Sequence, residues 1–126
     1  MPRRDNALLL DMLIACRKIM RFTTGLSWED FEQNELVQSA VIREFQVLGE
    51  ASRMVTEATQ AQHPQVPWAV VRGMRNRLVH EYFDIRLDVI WETIEKDLPV
   101  LVSQLEPIVP DENDNGNQNQ GLQEGD

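Results

Sequence analysis

The chain has 126 residues, a formal net charge of −9, 42% hydrophobic residues and a single cysteine, Cys16. That length fits one domain with one core, and the composition is too apolar for a wholly disordered chain. The acidity argues against broad, non-specific nucleic-acid binding, one cysteine excludes an internal disulfide, and no Cys/His cluster has zinc-ligand spacing.

A reducing compartment, and with it a cytoplasmic location, is the expectation. Asp5, Asn6 and Asp11 interrupt any signal-peptide pattern, and the apolar run at 7–10 is far too short to cross a bilayer. The acidity is unevenly placed. From Asp111 onward the chain holds acidic residues, no basic ones, and repeated Asn, Gln and Gly. Such a segment cannot bury enough apolar surface to offset its ordering entropy, so residues 110–126 are expected to form a disordered acidic tail behind a folded domain at 1–109.

In chain order, Leu9, Met12, Leu13, Cys16, Ile19 and Met20 form one apolar stripe, which predicts a helix over about 5–22 with Cys16 in the core. Thr23, Thr24 and Gly25 stop it. Ser27 is a good cap for a short turn containing Trp28, Glu29 and Asp30. Asn34 can cap the next helix, predicted over 35 to about 59, where Val37, Ala40, Val41, Leu48, Ala51 and Val55 recur at threes and fours. Gly49 inside it costs about 1 kcal/mol relative to alanine in an exposed helix, so a close helix crossing is expected there. Glu44 and Glu50 bracket Gly49, and either can face the basic stretch that follows. His63 and Pro64 lie in a predicted loop, His63 as an ordinary exposed side chain.

Pro67 opens a helix-compatible run at 67–83 that gathers Arg72, Arg75, Asn76, Arg77, His80 and Tyr82. The last helix is predicted to begin after Asp84, with Leu87, Ile90, Trp91, Ile94, Leu98, Leu101, Val102 and Leu105 at three–four spacing. Pro99 should kink it, or restart it with Asp97 as a cap. No segment shows sustained strand alternation. The expected fold is all-α, an antiparallel four-helix bundle with one short extra turn.

On a helical wheel, Val70, Met74 and Leu78 share the core arc. Arg72, Asn76 and His80 fall on an i, i+4, i+8 row, with Arg75 and Tyr82 beside it in a polar arc of roughly 140–160° and Arg77 outside it. These residue types suit phosphate chemistry. Arginine grips phosphate at two points, histidine exchanges protons near neutral pH, and asparagine and tyrosine add oriented hydrogen bonds. No carboxylate cluster for Mg²⁺ accompanies them, so the simpler reaction needs neither metal nor cofactor. In RNA, the 2′-hydroxyl can attack the adjacent phosphate while His80 manages protons and Arg75 stabilises the transition state. The same arginines can also simply pair with acids of neighbouring helices, and composition and spacing leave both readings open.

Arg75-Asn76, then Arg77-Leu78-Val79, then His80-Glu81-Tyr82, resembles the signature of HEPN domains, in particular the HepT-like toxins of HepT/MntA toxin–antitoxin systems. Ile42-Arg43-Glu44, Leu48-Gly49-Glu50-Ala51, Val66-Pro67-Trp68, Val89-Ile90-Trp91 and Asp97-Leu98-Pro99 extend the likeness over about residues 5–106. The resemblance implies a ribonuclease with Arg75 and His80 catalytic and Asn76 supporting, in a homodimer whose two motifs face one another. It also implies an MntA-like nucleotidyltransferase that silences the toxin by transferring AMP to Tyr82, within a hetero-oligomer. Arg72 and Arg77 are left as expected RNA contacts. A non-catalytic HEPN module that binds nucleotide or scaffolds its nucleotidyltransferase is the alternative the motif allows.

Overall fold

The computed structural model describes residues 3–81 and 84–110, with backbone alone at Arg3, His80 and Glu81. Tyr82 and all of the expected tail except Pro110 lie outside the described residues.

The fold is all-α. Helix α1 spans Arg3–Thr23, α2 Trp28–Glu32, α3 Glu35–Met54, α4 Glu57–Gln62 and α5 Trp68–Leu78. A small hairpin follows, β1 Val79–Glu81 with β2 Asp84–Ile85. Then come α6 Leu87–Glu92, a π-helical turn at Thr93–Asp97, and α7 Leu98–Leu105. The caps read from the sequence are present. Ser27 and Asp30 exchange side-chain and backbone hydrogen bonds in a capping box, and Asn34 accepts from the Val37 N–H at 3.1 Å. Helix α1 packs along α3, α3 along α5, and α7 against α1. Leu9, Met12, Cys16, Ile19, Val41, Phe45, Leu48, Val71, Leu98 and Leu105 fill the space between them. No helix among the described residues is long and apolar enough to cross a membrane.

Gly49 lies where α3 crosses close to α5. A Cβ placed there would lie 3.5 Å from the Arg72 carbonyl oxygen and 3.6 Å from that of Val71, so the expected close crossing is present.

Two local expectations are corrected and a third is met in part. The helix predicted to run to about 59 ends at Met54, and Thr56 caps the separate helix α4. The cause lies 51 residues away. The buried Asp5 carboxylate accepts hydrogen bonds from the Thr56 hydroxyl at 2.6 Å, the Thr56 N–H at 3.2 Å and the Thr59 hydroxyl, which fixes the chain reversal. Secondly, Asp84 caps no helix. It sits in β2, and α6 starts after Arg86, whose carbonyl accepts from the Ile90 N–H at 2.9 Å. The third, a restart at Pro99 with Asp97 as its cap, is met in part, since α7 does open at Leu98 directly after Asp97. The wider π turn just ahead of α7 takes up the irregularity, Pro99 stands in the first turn of α7, and Asp97 makes no side-chain cap.

Burial pushes the Asp5 carboxyl up, but the Thr56 and Thr59 hydrogen bonds and the nearby Arg4 charge outweigh it and hold the group below its ordinary value. A folded value below the unfolded one means that this stabilisation is present above the normal carboxylate range. It is lost as pH falls through the folded value. Asp5→Asn should therefore lower stability by about 1–3 kcal/mol at neutral pH, by weakening the hold on two hydroxyls and an N–H. Urea titrations at neutral and acid pH should show that difference shrink toward the acid end. At Cys16, burial pushes the thiol up to about 12. It should resist iodoacetamide in the native protein and react once the chain is unfolded, which mass spectrometry would report.

Candidate functional site

The sequence of α5 sorts its residues by its crossing with α3. Trp68, Val71, Met74 and Leu78 are buried, whereas Val70, expected in the core, is 48% exposed. The buried face is therefore rotated slightly from the predicted wheel, with the Val71 and Arg72 carbonyls on the side that meets Gly49. That rotation leaves Arg72, Arg75 and Asn76 on the opposite side, opening on a groove of about 820 Å³ bordered by α1, α3 and α5.

The rim carries Arg43, Arg53, Arg72 and Arg75 against two carboxylates, Asp11 and Glu50. Leu8, Val47, Ala51 and Met54 line the groove between these charges. Arg75 is half-buried, and its Nη1 donates to the Asn76 Oδ1 at a long 3.4 Å. Among the described residues, no carboxylate forms an ion pair with Arg75. Arg72 donates to the Gln60 amide oxygen of α4 at 3.3 Å. Glu50 pairs with Arg53 one turn further along α3 at 2.8 Å.

Helix α5 ends before the motif does. Leu78 is its last residue, the Val79 N–H still reaches the Arg75 carbonyl, and His80 stands in β1. The expected helical row Arg72–Asn76–His80 is therefore broken at its third member. Arg72 and Asn76 share the groove, and His80 follows where the backbone has become extended. The hairpin is pinned to the end of α5 by the Arg86 N–H, which donates to the Leu78 carbonyl at 3.0 Å.

The remaining expected residues separate clearly. Arg77 lies off the groove, its guanidinium 3.7 Å from the Asp97 carboxylate. Glu50 faces the groove and Glu44 does not line it. His63 also lies outside it. Half-buried, its carbonyl accepts from the Trp68 indole N–H at 3.0 Å, which ties the loop to the start of α5. Arg43 and Arg53 are the groove residues that sequence reasoning missed. Their signal was available, since Arg43, Gln46, Glu50 and Arg53 recur at threes and fours on one side of α3.

The family model described as Ribonuclease HepT-like matches residues 12–108, which contain the groove-facing parts of α3 and α5 and the whole motif. A Methanocaldococcus jannaschii protein named as a candidate RNase is 34% identical over 112 residues, covering 88% of this chain and 97% of that one. A Thermococcus cleftensis protein named as a probable ribonuclease HepT is 34% identical over 108 residues, covering 86% and 98%. A candidate RNase of Caldanaerobacter subterraneus is 35% identical over 101 residues, covering 80% and 90%. No solved structure matches the chain.

Proposed function

The chain belongs to the ribonuclease HepT-like family, and from that premise we propose that it is a metal-independent endoribonuclease whose site is built on Arg75, Asn76 and His80. The observation that carries this reading is the placement of Arg75. It is half-buried at the edge of a mostly basic groove, and among the described residues it has Asn76 and no carboxylate as its side-chain partner. A structural arginine in an acidic protein would be expected on a carboxylate, as Arg77 is on Asp97. An arginine without that partner keeps its guanidinium fork for a phosphate.

In the proposed reaction, the substrate's 2′-hydroxyl oxygen bonds to the adjacent phosphorus and the P–O5′ bond breaks. His80 manages the proton exchange, Arg75 stabilises the charge that builds on the phosphoryl oxygens, and Asn76 supports Arg75. The products are a 2′,3′-cyclic phosphate and a free 5′-hydroxyl, and DNA, lacking the nucleophile, is not cut. His80 follows Arg75 by five residues across the end of α5, so the two belong to one short segment anchored by Gly49 and Arg86. The test is incubation of the purified protein with single-stranded RNA in EDTA. Cleavage is expected, and an absolute requirement for added metal would contradict the mechanism.

The same reading makes the protein the toxin of a toxin–antitoxin pair, a homodimer restrained by an MntA-like nucleotidyltransferase that transfers AMP to Tyr82. Tyr82 lies seven residues beyond Arg75 in the same motif, and an attached AMP would add a negatively charged phosphate to the segment that carries the proposed catalytic pair. Co-expression with such an enzyme should raise the intact mass by one or more AMP units, and Tyr82→Phe should abolish the gain. Full modification of the Tyr82→Phe variant would contradict this assignment.

A further inference from the structure

Resting on the ribonuclease reading, we propose that Arg43 and Arg53 of α3 form, with Arg72, a backbone-binding track for single-stranded RNA that delivers the scissile phosphate to Arg75. Arg43 and Arg53 stand ten residues apart on the side of α3 that lines the groove, a separation of about 15 Å at 1.5 Å rise per residue. That length exceeds what a single phosphate needs. The Gly49 crossing brings Arg72 and Arg75 of α5 alongside, so two helices contribute cations to one trough.

Charge complementarity identifies the occupant. The whole chain is at −9, yet this trough holds four arginines and two carboxylates. One of the two acids is already paired. Glu50 is held by Arg53 at 2.8 Å, in an exposed pair that water and salt weaken and a competing phosphate can exchange. Asp11 sits on α1 at the border of the groove.

Between the charges, Leu8, Val47, Ala51 and the 44%-exposed Met54 offer an apolar surface. Unstacked bases of a single strand can lie on such a surface, whereas a duplex hides its base faces. Contacts to backbone and base faces support affinity more than sequence choice. Arg43 and Arg53 are binding residues in this scheme and take no part in bond breaking.

The test uses the full chain and a short fluorescein-labelled 2′-O-methyl RNA, which cannot supply the attacking hydroxyl and so separates binding from cleavage. Arg43→Gln and Arg53→Gln should each weaken binding several-fold and make the salt dependence shallower by about 0.7 in log K against log salt, the value for one phosphate contact on a single strand. Glu50→Gln should do the opposite and tighten binding, since it removes a negative charge and frees Arg53. On cleavable RNA, the arginine variants should raise KM and leave kcat near that of the wild type. Arg17→Gln, which lies outside the groove and pairs with Glu106, is the control.

Wild-type affinity and salt slope in the Arg43→Gln, Arg53→Gln double variant would overturn the track, as would an unlabelled RNA duplex competing as well as the single strand. The ribonuclease reading fails separately. If 2′-O-methyl RNA binds in an Arg43- and Arg53-dependent way while cleavable RNA is never cut, the track stands and the catalytic reading falls.

Discussion

His80→Ala should reduce RNA cleavage in EDTA by about 10²–10⁴-fold, the range for losing a positioned acid–base group. Arg75→Ala should cost about 10²–10³-fold, comparable to removing one preorganised donor to a charged transition state. The packing of α5 rests on Trp68, Val71, Met74 and Leu78, with Arg75 outside that set, so thermal unfolding of the Arg75 variant should stay close to that of the wild type. Arg75→Lys sharpens the test. It keeps the charge and loses the planar fork, so it should recover only part of the activity if two-point contact with phosphate matters. Full activity in both alanine variants would move the chemistry elsewhere in the molecule.

Gly49→Leu is expected to have the second large effect, acting on the site through the fold. A Cβ at this position makes ordinary contact with the Arg72 and Val71 carbonyl oxygens, at 3.5 and 3.6 Å. Gly49→Ala should therefore be tolerated, and the gain in helix propensity can reach about 1 kcal/mol. The further atoms of leucine have to be placed between the α5 backbone and the groove that Gly49 lines. Overpacking of this kind costs about 1–3 kcal/mol, and the shift falls on the helix that carries Arg72, Arg75 and Asn76. Gly49→Leu should thus lower both stability and RNA cleavage, whereas Gly49→Ala should preserve cleavage. Urea midpoints and initial cleavage rates on the two variants distinguish them. Equal behaviour of the two would mean that the crossing does not position the site.

The features legible in the sequence were those set by neighbours along the chain. The α1 stripe, the Ser27 and Asn34 caps and the meaning of Gly49 all follow from three–four spacing, side-chain chemistry and the cost of a mid-helix glycine. What the sequence concealed was set by distant residues. The break after Met54 depends on Asp5, whose carboxylate gathers Thr56 and Thr59 from the far end of α3. The end of α5 at Leu78 coincides with the hairpin, where Val79 pairs with Ile85 of β2. That second miss matters for function, because it turns an imagined helical row into a helix end followed by an extended segment at His80.

The site was legible in the same uneven way. Arg75, Asn76 and Arg72 were found because they crowd one short run, and the groove brings them together. Arg77 belonged to the same run, but its side chain points to Asp97, a contact that spacing within α5 cannot reveal. Arg43 and Arg53 come from α3 and become part of the site only through the Gly49 crossing. A basic face is assembled here from two helices, each carrying half of it.

The most direct test of the account is end-group analysis of RNA cut by the wild-type protein in EDTA. The account predicts 2′,3′-cyclic phosphate and 5′-hydroxyl ends, absent when 2′-O-methyl RNA or DNA replaces RNA. Ends bearing a 5′-phosphate and a 3′-hydroxyl, or cutting of DNA at a similar rate, would contradict it.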